Sequence, residues 1–226
     1  MTAMLSDEVA WQQLHDSARR NGPERALARA HADIAPHVIV AGPAGHAVAP
    51  AALARSASRA WPSGAPVDRR PGAVTVFTPV PLERSGLMAV RGLAVPGGRA
   101  GYQVNVAYRG WLLTLSWLRL GISAGLLDTA LSYLAHRTVA GEPLLRKQMI
   151  QGELSDAVTR QLAVRALVSG RRAADLSDTA LADAHRQITA GDGVLLRLMG
   201  ARGLTVEWPG QAAYASELLA DAYLSR

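Results

Sequence analysis

The chain contains no cysteine. Disulfides, thiolate nucleophiles and cysteine-based metal sites are thereby excluded. Aromatic residues make up only 5% of the sequence, and a single Phe stands among five Trp and five Tyr, so the core must be largely aliphatic and alanine-rich. Lysine is almost missing, since 23 of the 24 basic residues are Arg. Those arginines are spread over every segment, without a block and without interleaved aromatics. The net charge of +6 therefore lacks the concentrated footprint of a nucleic-acid binder. The most apolar run, Trp111 to Leu127, is interrupted by Arg119. It reads as a buried helix rather than a membrane span. No basic stretch followed by an apolar run opens the chain, so the expected compartment is the cytoplasm.

What is present suits an ordinary globular chain: 226 residues, 49% hydrophobic and 19% charged, enough for one large domain or two small ones. Residues 1–35 read as a short helical arm, broken at Asn21-Gly-Pro23. Residues 36–110 change texture. "HVIVAG", "AVTVFTPV", "LMAVRGLAVP" and "GYQVNVAY" are short β-branched runs separated by Gly and Pro, which predicts a small antiparallel sheet. Between the first two runs the spacing allows a short helix ending in a loop. Residues 111–226 are helical to the end. Helices are expected over Trp111–His136, Leu144–Leu167, Leu176–Met199 and Gln211–Leu224, the third marked by Leu181, Ala184, Ile188, Gly191, Leu195 and Leu198. The fold class is α+β, a short antiparallel β region followed by an antiparallel four-helix bundle.

No nucleophile–base–acid set stands out. The six histidines show no metal-binding pair at helical spacing, and they read as exposed or helix-end residues. Arg119 carries more information, because a charge inside "LTLSWLRLGISAGLL" needs a partner or a ligand. Its structural reading is an ion pair with Asp128 or with a carboxylate on another helix. Its functional reading is an anion receiver at a pocket floor.

Two stretches of the bundle resemble acyl-CoA dehydrogenases. "YLAHRTVAGEPLLRKQMIQGELSDAVTRQLAVRALV" places Arg137, Gly141, Pro143, Leu144, Gln148, Leu154 and Asp156 in the family's register. "LLRLMGARGLTVEWPGQAAYASELLADAYL" is similar to its glycine loop, Glu-aromatic-Pro step and final helix through Gly200, Gly203, Glu207, Trp208 and Pro209. The resemblance implies that Arg137 and Gln148 face the diphosphate and adenosine portion of FAD across a subunit interface. It also implies that Gly200 and Gly203 let the backbone approach that cofactor.

The departures from the family pattern are as informative. The two positions where the family carries its proton-abstracting Glu fall on Leu224 and Trp111, neither of which accepts a proton. Ala201 and Ala140 also replace residues of the pattern, and the amino-terminal helical and β regions are short beside the family's. Three expectations follow. In the first, a hydrophobic acyl or polyketide-like compound is transformed without flavin redox, as in secondary-metabolic biosynthesis, with Arg119, Trp117 and Tyr133 as the catalytic candidates and no cofactor bound in isolation. In the second, the chain is a non-catalytic partner of an FAD-dependent dehydrogenase. In the third, it binds FAD and uses a displaced base. A homodimer or heteromer is expected in each case.

Overall fold

A computed structural model of the chain describes residues 8–62, 65–69, 74–95, 104–204 and 210–224. The amino-terminal arm forms α1 (Glu8–Asn21) and α2 (Pro23–Ile34), separated by Gly22 at φ 78° with Pro23 fixing the first turn of α2. The middle of the chain holds β1 (Val38–Val40), β2 (Ala47–Pro50), α3 (Ala51–Ser56), β3 (Arg59–Trp61), β4 (Val67–Asp68), β5 (Thr75–Phe77), α4 (Val80–Arg84) and β6 (Leu87–Arg91). The bundle is built from α5 (Val106–His136), α6 (Gln148–Val168), α7 (Asp178–Leu198) and α8 (Gly210–Tyr223). A small hairpin, β7 (Thr138–Val139) and β8 (Glu142–Pro143), leads from α5 towards α6.

The middle region is not one antiparallel sheet, as the sequence pattern predicts, but two three-stranded sheets ordered β1-β3-β4 and β2-β6-β5. The pair β1–β3 is parallel, Val38 opposite Arg59, because β2 and α3 lie between them in the chain and return it to the same end. The stretch expected as helix and loop therefore also supplies β3 and β4. "GYQVNVAY" is not a strand where it is described. Asn105 accepts the Tyr108 backbone N–H at 2.9 Å and caps α5, which starts at Val106.

Helix α5 is apolar on nearly all sides over its first five turns because neighbours cover it there: it packs against α1, α2, α6, α7 and α8. It is long and apolar enough to cross a membrane, yet 89% of its most hydropathic stretch is buried within the fold. Each buried Leu or Ile contributes about 1.5–3 kcal/mol. The approach of α1 is close enough that a Cβ on Gly121 would run into the His15 carbonyl. At the other end of the chain, α8 is stitched to the sheets through Tyr223. Its hydroxyl donates to the Val48 carbonyl at 3.0 Å, and its own carbonyl accepts the Tyr108 hydroxyl at 2.8 Å.

Candidate functional site

The sequence leads to Arg119, which is fully buried in the middle of α5. Its partners are neutral. Nε donates to Ser216 Oγ at 2.9 Å, Nη1 to His185 Nδ1 at 2.9 Å and to the His185 carbonyl at 3.2 Å, and Nη2 to Thr189 Oγ1 at 2.7 Å. Of the two structural pairings the sequence allows, with Asp128 or with a carboxylate on another helix, the one with Asp128 does not form. Asp128 is exposed on the opposite side and takes a bidentate pair from Arg19 of α1, at 2.7 and 2.8 Å.

The carboxylate that does belong to Arg119 is Asp192 of α7, reached through Ser216, whose hydroxyl lies 3.5 Å from Asp192 Oδ2. Asp192 Oδ1 accepts the Ser123 hydroxyl at 2.5 Å, and Ser123 Oγ accepts Gln161 Nε2 at 2.9 Å. A polar chain thus runs from α6 through α5, α7 and α8. Burial pushes the Asp192 carboxyl up to about 6, although Ser123, the Arg119 charge and Ser216 all favour its ionised form. Burial likewise brings Arg119 down to about 10, against the pull of Asp192, Glu217 and Asp221, so it stays charged at neutral pH. His185 is pushed down to about 3, by burial first and then by the Arg119 charge.

Arg119 and Asp192 share the lining of a pocket of about 440 Å³ between α7, α8 and α4, with Thr189, Leu196, Ala213 and Pro81 among its walls. Four acceptors take four of the five guanidinium N–H groups, so the buried charge at the pocket floor is held by neutral partners. Such a pocket accepts an apolar body and holds one carbonyl or carboxylate oxygen, with a carboxyl group near neutral pKa beside it.

The remaining sequence candidates are not gathered here. Trp117 is fully buried and meets His15 of α1 edge-on, with ring centroids 6.4 Å apart. Tyr133 lies towards the exposed end of α5, where the guanidinium carbons of Arg137 and Arg202 sit 6.0 and 5.9 Å from its ring centre. These three line a second, open pocket of about 580 Å³ with His136 and Asp128. Gln148 is exposed at the start of α6, outside that lining. Gly200 is exposed at φ 57°, while a Cβ on buried Gly203 would run into the Leu196 carbonyl. Glu207, Trp208 and Pro209 lie outside the described residues.

The histidines depart from the sequence expectation. His31 and His185 are both buried, His31 beside the backbone of Val38 and Val48. Trp111 is also sealed, with its ring centre 4.9 Å from that of His31 and 5.4 Å from that of Tyr223. Leu224 packs at the edge of the same core. Sequence reasoning passed over Asp192, although the signal was present. It falls four residues after Ile188 and three before Leu195, a charge on the apolar stripe of α7.

Residues 113–191, from α5 into α7, match the family model of the acyl-CoA dehydrogenase C-terminal domain. By this match the segment is similar to acyl-CoA dehydrogenase C-terminal domains, over about a third of the chain. The fold around it agrees. A putative acyl-CoA dehydrogenase from Mycobacterium smegmatis superposes with a TM-score of 0.63 at 14% identity, over 94% of this chain and 76% of that one. The butyryl-CoA dehydrogenase of Megasphaera elsdenii gives 0.54 at 16% identity, over 83% and 59%. The ChsE4-ChsE5 complex of Mycobacterium tuberculosis gives 0.58 at 14% identity, over 95% and 74%. The chain therefore spans about three-fifths of the butyryl-CoA dehydrogenase and about three-quarters of the other two. No curated protein sequence matches it.

Acyl-CoA dehydrogenases imply FAD. Of the residues assigned to that cofactor by resemblance, Arg137 stands with Arg202 and Tyr133 in an open recess whose two guanidinium groups suit an anion, beside an Asp128 carboxylate already paired with Arg19. Gln148 is separate, and Gly203 is committed to packing on α7. Within one chain, that recess is compatible with the diphosphate portion of the cofactor.

Proposed function

We propose that this acyl-CoA dehydrogenase-like chain binds a hydrophobic acyl or polyketide-like compound in the α7/α8 pocket and transforms it in the cytoplasm without flavin redox. The observation that carries this reading is the placement of Arg119 and Asp192 on one largely apolar pocket of about 440 Å³. Arg119 receives the carbonyl or carboxylate oxygen of the compound, and the apolar walls take its chain. The position where the family carries a base supports the same reading, since Trp111 there is closed in the core against His31 and Tyr223.

The test uses acyl thioesters of N-acetylcysteamine and FAD, each added to the purified chain. An acyl thioester raises the melting temperature, and the protein is colourless after soaking in FAD and desalting. Gly193→Leu fills the pocket from α7, where a Cβ meets only Arg197 Nη1 at ordinary contact distance. It is expected to fold and to lose the ligand shift. Flavin absorbance that survives desalting, or an unchanged shift in Gly193→Leu, overturns the proposal.

The Arg137–Tyr133–Arg202 recess favours a second reading, a partner subunit that lends cations to a flavin held by another chain. One of the similar structures is itself a complex, that of ChsE4 and ChsE5. This reading predicts no acyl-dependent shift in the isolated chain, and FAD retention only in a heteromer, lost on Arg137→Ala.

A further inference from the structure

We propose that Asp192 is a catalytic proton carrier, and that the substrate class is a β,γ-unsaturated acyl thioester or ketone whose double bond is moved into conjugation. The proposal rests on the reading of the α7/α8 pocket given above. What it adds is a reaction that the groups present can complete by themselves.

A shift of this kind needs one base that can return what it takes, and one cation at the oxygen where charge develops. The carboxyl group of Asp192 is held for the first task. Oδ1 is fixed by the Ser123 hydroxyl at 2.5 Å. Ser123 is itself fixed by Gln161 Nε2, at 2.9 Å to its hydroxyl and 3.0 Å to its carbonyl. Oδ2 has only the longer Ser216 contact, at 3.5 Å, so it is the oxygen with lone pairs to spare. Arg119 serves the second task with its charge, which lies at the floor of the same pocket. Ser216 sets the spacing of the two groups, since it accepts from Arg119 Nε and faces Asp192 Oδ2.

The step balances without a co-reactant. The C–H bond at the α-carbon breaks, and its proton goes to Asp192 Oδ2. The electron pair passes into a dienolate whose oxygen rests on Arg119. The proton then returns to the γ-carbon, and the double bond moves from the β,γ to the α,β position. Nothing is oxidised, and the carboxylate is regenerated. An Asp192 carboxyl poised near neutrality suits both halves of this transfer.

The experiment incubates the full chain with a short-chain β,γ-enoyl thioester of N-acetylcysteamine in D₂O. Conjugation is followed by ultraviolet absorbance, and deuterium at the α- and γ-carbons by NMR. The wild-type chain is expected to produce the conjugated thioester and to wash deuterium into both carbons. Asp192→Asn keeps the melting shift caused by the thioester and slows conjugation by about 10²–10⁴-fold. Ser123→Ala, which keeps the carboxyl but frees it, slows conjugation by a smaller factor of about ten. A thioester that shifts the melting temperature but acquires no deuterium overturns the isomerase proposal and leaves the pocket reading standing. Conjugation that persists in Asp192→Asn overturns the role of that residue. A thioester that gives no shift removes the pocket reading, and this proposal with it.

Discussion

Arg119 donates through Nη1 to Nδ1 of His185 at 2.9 Å, which makes that nitrogen an acceptor and leaves the imidazole proton on Nε2. Nε2 in turn lies 3.2 Å from the Leu112 carbonyl and 3.3 Å from Ser116 Oγ, both able to accept it. A neutral histidine is therefore built into the support of a buried guanidinium, and protonating it would set two cations against each other.

This arrangement fixes the acid side of the stability curve. In the fold His185 titrates at about 3 and His31 at about 4, both below their ordinary 6.5, while Asp192 is raised from 3.8 to about 6. Between roughly pH 6 and pH 4 the unfolded chain carries two protons on these histidines, and the folded chain carries one on Asp192. The unfolded state thus holds about one more proton, so stability is lost as pH falls, by about 1.4 kcal/mol per pH unit. In Asp192→Asn the opposing proton is gone, and the slope steepens to about twice that figure. Urea unfolding at several pH values checks both slopes, and a wild-type curve flat across this window would contradict them.

Arg119 and Asp192 stabilise each other in a place where neither belongs alone. Arg119→Leu strands Ser216, Thr189 and His185 without their donor and leaves a buried carboxylate uncompensated, so a loss of about 3–5 kcal/mol is expected. Removing both charges in Arg119→Leu/Asp192→Leu should cost at least about 1 kcal/mol less than the sum of the single losses. Strict additivity in chemical denaturation would mean that the two groups do not couple through Ser216.

The helices were legible in the sequence, α7 because its apolar residues recur at steps of three and four and α5 because it is one long apolar run without Gly-Pro breaks, and all four bundle helices lie within a few residues of the expected bounds. The sheet was less so. β2 is an Ala-Val-Ala-Pro strand with no alternation, buried at all four positions, and β4 is two residues long. Asn105 could equally end a strand or cap a helix, and only the Tyr108 contact decides it. At the site, Arg119 announced itself as a charge in an apolar run. Its partners did not, because Ser123, His185, Thr189 and Ser216 are ordinary helix residues whose convergence depends on how four helices pack.

Asp128 offers a contrast in scale. Its pair with Arg19 is bidentate, but the two side chains are 49% and 44% exposed. Solvent screens such a pair, so Asp128→Asn is expected to cost under about 1 kcal/mol, and less still in high salt. A loss several times larger in thermal or urea unfolding would show that α1 depends on this contact rather than on the packing of Leu14, Ala18 and Trp11.

Gly203 separates packing from cofactor approach. It is buried beside the last turns of α7, and a Cβ there would run into the Leu196 carbonyl, a backbone atom that a side-chain rotation cannot move away. Gly203→Ala must therefore displace the loop or the end of α7, with an expected cost of about 1–3 kcal/mol. Gly200 is different, with open space for a Cβ but φ at 57°, so Gly200→Ala should cost about 1 kcal/mol through backbone strain alone. If Gly203 served a cofactor instead, the alanine variant would keep its melting temperature and lose only binding. Thermal unfolding of the two variants side by side decides this, and the packing account requires Gly203→Ala to melt clearly below Gly200→Ala.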